Sequence, residues 1–366
     1  MNNQERHLLH AILDKSSESA LSHFESWLAS INFEEIEGGS YRLIPALYKR
    51  ISLLKPDFPH KNRMKGIYRY FLYKNNSIMH NGLTLLDAFS RNNIDCILLK
   101  GAALITSYYG EPALRPMNDL DILVRREDAQ KAFSLMEELG WKPRRNKKFL
   151  TQFKRTNGIA MSNGSGFETD LHWDVVSQSM WKDSEKSYWE NYETVEYKGR
   201  RLRILNPEMQ IIHNTSHGLK WNKMSSIRWI PDVALIIEKR RDDIDWDCLM
   251  DIIIDKKLVF TMKQGLNFLV DEFGADIPVP FLNRLNAIPD TAIEKKLYYH
   301  LNHPSRLVLF KIVWYVYSKG RENASLLSRL AGLPAYLKAI LNLDSYSQVF
   351  RYIVKKSNMD FKKKIK

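Results

Sequence analysis

Apolar residues recur at helical spacing through roughly the first ninety positions. Leu8, Leu9, Ile12 and Leu13 form one stripe, Leu21, Phe24, Trp27 and Leu28 a second, and residues 41–54 continue the pattern. Steps of three and four place such side chains on one face of an α-helix. After Pro56 and Pro59, the spacing of Ile67, Phe71, Ile78, Leu85 and Leu86 predicts a long amphipathic helix over 61–91. Gly66 and Gly82 fall inside that span and weigh against a single unbroken helix. These leading helices read as packing elements without chemistry of their own.

Past residue 94 the texture changes to short apolar runs separated by turn residues. They predict strands over 96–99, 119–124, 152–155, 159–161, 167–176, 194–197 and 201–204, with a helix over 127–139 that stops at Gly140. The strands do not alternate strictly with helices, which favours a small mixed sheet over a doubly wound parallel one. Helical periodicity returns at Pro207 and persists to the end, with breaks expected near Pro231, Pro278 to Pro280, Pro289, Pro304 and Pro334. The expected fold class is therefore α+β in three parts. A helical region (1–92) precedes an α/β core (93–206), and a helical C-terminal domain (207–366) ends in a basic tail.

Composition narrows the function classes only a little. The 366 residues suffice for a large core, and 44% hydrophobic with 27% charged residues is ordinary for a globular protein. Lys plus Arg number 55 against 42 Asp plus Glu, a formal charge of +13 that attracts polyanions such as nucleoside triphosphates, nucleic acid or an anionic surface. Part of the excess is the solvated tail of Lys355, Lys356, Lys362, Lys363, Lys364 and Lys366. Cys96 and Cys248 sit in apolar runs and read as buried free thiols of a reducing compartment. Neither a signal-peptide core nor an apolar run of about eighteen residues occurs, so no membrane span and a cytoplasmic location are expected. The sequence also lacks a P-loop, a Gly-x-Gly-x-x-Gly turn and a serine-hydrolase elbow, and Asn163-Gly164-Ser165-Gly166 reads as a hairpin turn.

Candidate chemistry concentrates in the core. Asp119 and Asp121, one residue apart at the start of an apolar run, project from one face of a strand while Leu120 and Ile122 enter the core, a geometry that suits a divalent metal. Upstream, Lys100-Gly101-Ala102 follows a short apolar strand and opens an apolar helix, where free backbone N–H groups favour phosphate. Downstream, Glu168, Asp170, His172 and Asp174 share one strand face, which makes Asp170 a third candidate ligand. Two magnesium ions roughly 3.5–4 Å apart in such a cluster would serve an in-line displacement. His172 is either a base, a substrate contact or a structural histidine bonded to a nearby carboxylate. His213 and His217 lie four apart on one helical face, without the glutamate of the zinc-peptidase motif. They read as interface residues facing a helix that carries Arg228 and Asp232.

Lys100-Gly101, the run from Arg115 to Val124, Asp170-Leu171-His172-Trp173, His217 and the stretch from Arg228 to Asp232 together resemble a nucleotidyltransferase family of the DNA polymerase β-like superfamily. The resemblance spans about residues 94–237. It implies a small mixed sheet with flanking helices, a Gly-Ser turn for the triphosphate, an Asp-x-Asp pair for two magnesium ions (or manganese) and a third carboxylate from a later strand. Carried across, Gly101 is the turn glycine, Asp119 and Asp121 are the pair, and Asp170 is the third acid. Ala102 stands where the superfamily has serine, so Lys100, backbone N–H groups and Arg115 are the candidate triphosphate contacts. His172, His217, Arg228 and Asp232 are candidate substrate contacts. The implied reaction moves a nucleoside monophosphate from a nucleoside triphosphate to an acceptor hydroxyl and releases pyrophosphate. The acceptor stays open among a small molecule, a protein and RNA, as does the oligomeric state. An RNA-modifying, toxin-like transferase and a non-catalytic nucleotide-binding protein are the competing readings.

Overall fold

Side-chain caps set the first helices. In α1 (Asn3–Leu13) the Asn2 side chain accepts from the Glu5 N–H and the Glu5 carboxylate accepts from the Asn2 N–H, a reciprocal capping box. Ser16 caps α2 (Ser17–Ser30), and the short α3 (Gly38–Tyr41) and α4 (Ile44–Leu54) follow. The structure is a computed structural model that describes residues 1–144, 153, 157–175, 184–219 and 227–302, and thereafter 311, 314–315, 317–318, 321, 324–340, 343, 345–352 and 354. Helix α5 (Lys61–Arg91) runs unbroken through both glycines. At Gly82 a Cβ would lie 2.5 Å from the Leu120 side chain, so the missing side chain is what lets α5 close on the sheet.

The core then unfolds along the chain as β1 (Cys96–Leu98), α6 (Lys100–Leu104), a π-type turn (Ile105–Tyr109), a 3-10 turn (Pro112–Leu114), β2 (Asp119–Val124) and α7 (Ala129–Glu138). It continues through β3 (Lys142–Pro143), β4 (Gly158–Ser162), β5 (Glu168–His172), α8 (Ser184–Glu190), β6 (Tyr192–Tyr197) and β7 (Arg200–Leu205). One seven-stranded sheet results, in the order β3-β4-β5-β2-β1-β7-β6. It is mixed: β2 is parallel to β5 and β1 to β7, and the other neighbours are antiparallel. The α+β fold expected from the strand order is the fold observed. Asn163 closes the β4-β5 hairpin by accepting from the Ser165 and Phe167 N–H groups through its side chain.

Strand alternation splits the interior in two. On one face, Leu98, Leu120, Ile122 and Leu171 pack with Ile78, Leu85 and Phe89 of α5 and with Ala132 and Met136 of α7. On the other, Ile97, Leu99 and Leu123 join Leu8, Phe24 and Trp27 of the N-terminal helices. That second cluster continues into the later helices through Ile211, Val233, Leu249 and Leu266. Those helices are α9 (Pro207–Gly218), α10 (Trp229–Arg240), α11 (Trp246–Asp255), α12 (Val259–Phe273), α13 (Val279–Ala287), α14 (Ala292–Asn302) and α15 (Leu326–Ile340).

The break expected near Pro231 is observed as the start of α10 at Trp229, with Pro231 in its first turn, where its missing N–H would have no intrahelical partner anyway. Several expectations need correction. Pro334 sits inside α15, which passes through it. The strand expected over 167–176 ends at His172. The strand expected over 152–155 lies outside the described residues apart from Phe153, which is helical. Both cysteines are free but half-buried rather than fully enclosed. Among the described residues no helix is long and apolar enough to cross a membrane.

Candidate functional site

The parallel pairing of β2 with β5 sets Asp119 opposite Glu168, Asp121 opposite Asp170 and Leu123 opposite His172. Because residues two apart share a face, Asp119, Asp121, Asp170 and His172 gather on one side of the sheet. Ligand atoms of Asp121, Asp170 and His172 all lie within 4.8 Å of one another. Asp121 is buried, and Asp119, Asp170 and His172 are half-buried. The sheet thus presents a polar, solvent-reached face in the middle of otherwise apolar strands.

Asp121 is the hub. Its Oδ1 accepts from Lys100 Nζ at 2.5 Å and lies 2.9 Å from His172 Nε2. Burial alone would push its carboxyl up, but the His172 hydrogen bond and the Lys100 ammonium outweigh that and hold it well below the usual carboxylate range. Asp119 goes the other way. Burial first, then the Asp121 and Asp170 carboxylates, push it up to about 6, against a smaller downward pull from Lys100. Burial opposes the Lys100 ammonium, yet Asp121, backed by Asp119 and Asp170, raises its pKa. Two carboxylates two residues apart with opposed shifts mark a candidate functional site.

The Lys100 turn is built for reach. Lys100 adopts φ +49°, a left-handed conformation uncommon outside glycine, at the junction of β1 and α6. Gly101 lies where a Cβ would approach Met117 to 3.1 Å, so the turn packs directly on the loop that leads into β2. Ala102 is buried and points into the apolar face under α5, away from any role as a side-chain donor.

Arg115, expected at the triphosphate, is buried and committed elsewhere: its Nε donates to Asp232 Oδ1 at 2.6 Å and its Nη1 to the Pro116 carbonyl at 3.1 Å. The same Asp232 oxygen accepts from the Tyr109 hydroxyl at 2.8 Å. Asp232 is 1% exposed, so it anchors the β2 loop to α10 from within the core. Arg228 stands beside this pair, its Nη1 donating to the Pro116 carbonyl at 3.0 Å. His217 is exposed in the last turn of α9, with its ring 6.1 Å from that of buried His213. Neither His213 nor His217 belongs to a three-ligand cluster among the described residues.

Two features escaped the sequence reading. Asn75 of α5, fully buried, donates to the carbonyls of Pro112 (2.5 Å) and Arg115 (2.9 Å) and accepts from the Met117 N–H (3.3 Å). It clamps the loop that carries Arg115 and aims Asp119, so the N-terminal helices do more than pack. Its signal was present: Asn75 interrupts an apolar stripe of Phe71, Ile78 and Met79. The second is a group of His10, Asp14 and His23 at the α1-α2 junction, whose ligand atoms also converge. There the His10 and His23 rings stack at 4.5 Å and 18°, so their planes do not meet at a shared point, and hydrogen bonding rather than metal ligation suits them. A cavity of about 780 Å³ opens at the far end of the sheet, lined by Asp87, Asp95, Arg200 and Arg203. Arg200 and Arg203 are ion-paired there with Asp87 and Asp95, which leaves the acid cluster as the site of candidate chemistry.

A family model described as an uncharacterised nucleotidyltransferase matches residues 40–270, a span that contains every residue of the acid cluster. The chain belongs to this family. No curated protein matches this nucleotidyltransferase. Among solved structures, the antibiotic-resistance factor ANT(2'')-Ia is 14% identical, with 50% of this chain and 93% of that one covered and a TM-score of 0.33. The lincomycin-bound lincosamide antibiotic adenylyltransferase LnuA is 16% identical over 42% of this chain and 92% of its own, at a TM-score of 0.30. An antigenic nucleotidyltransferase-like protein from Paracoccidioides brasiliensis is 14% identical over 56% and 95%, at 0.34. Superpositions this loose carry no weight beside the family match.

Proposed function

We propose that this nucleotidyltransferase moves a nucleoside monophosphate from a nucleoside triphosphate to an acceptor hydroxyl, with Asp119, Asp121 and Asp170 holding divalent cations. The observation that supports the reading most is the register of β2 on β5, which sets Asp121 directly across from Asp170 with Asp119 two residues away. The donor set fits magnesium: clustered carboxylate oxygens are hard ligands, and burial together with the Asp121 and Asp170 carboxylates pushes Asp119 up to about 6. Bound there, magnesium would offset the charge of the triphosphate and acidify the attacking hydroxyl.

The protein's own groups do the rest. The acceptor oxygen attacks the α-phosphorus, the bond to the bridging oxygen breaks, and pyrophosphate leaves with that electron pair. Asp170, half-buried and alone of the three on β5, takes the hydroxyl proton. His172 and Lys100 fix the orientation of the Asp121 carboxylate. The Arg115–Asp232 pair and Asn75 hold the loop from which Asp119 projects. Most of the acceleration then comes from positioning and charge compensation, since such transfers need little covalent participation by the protein.

Incubating the protein with magnesium, α-labelled nucleoside triphosphates and a panel of small-molecule, protein and RNA acceptors tests this reading. Transfer of label with release of pyrophosphate, lost on chelation, is expected; undiminished transfer by both Asp119→Asn and Asp121→Asn would overturn it. The formal charge of +13 favours RNA among the acceptors. Binding to RNA should then weaken steeply as salt rises, and no binding at low salt removes RNA from the panel.

A further inference from the structure

Three cations from separate parts of the chain converge on the loop that leads into Asp119. Lys74 of α5 donates from Nζ to Asn118 Oδ1 at 2.8 Å, one residue before Asp119. Arg228, at the start of α10, donates to the Pro116 carbonyl at 3.0 Å from the other side of the same loop. Arg42, at the C-terminal end of α3, lies within electrostatic reach of Asp119, Lys74, Arg115 and Arg228. Among the described residues Arg42 makes no hydrogen bond or ion pair through its guanidinium.

The neighbouring acids are occupied. Asp232 takes Arg115, Glu168 takes Arg144 at 2.8 Å, and the Glu37 carboxylate caps the backbone of α3. That leaves Asp119 as the acid within electrostatic reach of Arg42 and Lys74, while metal ions at the acid cluster would claim it as well. Like charges held this close repel: burial, then Arg115 and Arg42, push the Arg228 guanidinium down to about 9. Arrays of this kind are relieved by a multivalent anion whose oxygens several donors can share.

We propose that Arg42, Lys74 and Arg228 form the subsite that grips the polyphosphate arm of the donor nucleotide, an assignment that rests on the nucleotidyl-transfer reading above. The N-terminal helical region thereby supplies two of the three grips, and Arg115, locked to Asp232, supplies none. The arrangement also accounts for Ala102: with three side-chain cations on the phosphates, the hydroxyl of a Gly-Ser turn is dispensable.

Equilibrium binding tests the subsite. The full-length protein and its Arg42→Gln, Lys74→Gln and doubly substituted forms are titrated, in magnesium, with ATP, GTP, CTP and UTP, with the matching monophosphates and with inorganic tripolyphosphate. Each single substitution should weaken the triphosphate that binds best by about ten-fold, as expected for loss of a charge-assisted hydrogen bond. Tripolyphosphate should weaken in parallel, monophosphates should change less than about two-fold, and Lys74→Arg should restore binding. Triphosphate affinities equal to wild type in both single variants would overturn the subsite and leave the transfer reading standing. Equal losses for mono- and triphosphates would overturn it too, because they would report a disturbed fold. If the unsubstituted protein binds none of the four triphosphates, the transfer reading falls and the subsite falls with it.

Discussion

Replacing Asp119 with Asn should abolish transfer and at the same time stabilise the metal-free protein. The Asp119 carboxyl is pushed from 3.8 to about 6, chiefly by burial and by Asp121 and Asp170. A shift of about two units corresponds to about 3 kcal/mol for a fully enclosed group; Asp119 is half-exposed, and solvent screening reduces this to about 1–2 kcal/mol. For a chain of this size that is a rise in Tm of about 1–3 °C. The sign follows from linkage: a carboxyl whose folded pKa lies above its unfolded value costs stability once both states are ionised, and the cost vanishes when both are protonated. The gap between variant and wild type should therefore be full above about pH 7, narrow through pH 6, and close near pH 4. Differential scanning fluorimetry in EDTA from pH 4 to 8 reads this directly, and added magnesium should raise the wild-type Tm more than that of the variant. An Asp119→Asn protein that melts lower than wild type at pH 7.5, or a gap that does not depend on pH, would refute the argument.

Three further outcomes follow from other contacts. Arg115→Ala leaves the Asp232 carboxylate buried with, among the described residues, the Tyr109 hydroxyl as its side-chain hydrogen-bond donor, and chemical denaturation should show a loss of about 3–5 kcal/mol. Asn75→Ala removes two donated hydrogen bonds and one accepted bond from a fully buried position. It should cost about 2–3 kcal/mol and slow transfer with little change in nucleotide affinity, measured by urea unfolding and steady-state kinetics. His23 has its pKa lowered by burial first and by His10 next, against the pull of Asp14. The unfolded chain therefore takes up that proton first, and stability falls as pH drops through about 6.5. A His23→Gln variant should lose less Tm between pH 7 and 5.5 than wild type, and an identical loss would exclude His23 as the source.

Local chemistry was legible where it depended on local geometry. The alternation of Asp119-Leu120-Asp121 placed both acids on one face because a strand admits no other arrangement, and the same parity predicted that Asp170 and His172 would share a face. The mixed sheet followed from strands that did not alternate with helices. Roles that depend on distant partners were not legible. Arg115 finds Asp232 117 residues later, and nothing near either residue announces the pair. Lys74 stands in no motif, and the close approach of α5 to β2, made possible at Gly82, brings it to the loop before Asp119.

The central claim is that Asp119, Asp121 and Asp170 form a site for divalent cations that nucleotide transfer requires, and manganese binding tests it without knowledge of the acceptor. Wild-type protein and the Asp121→Asn and Asp170→Asn variants are titrated with Mn2+ in the presence of nucleoside triphosphate, and bound ion is counted by electron paramagnetic resonance. About two ions per wild-type chain are expected, with a loss of binding in both variants. Equal manganese binding by wild type and both variants, or none by wild type, would contradict that claim.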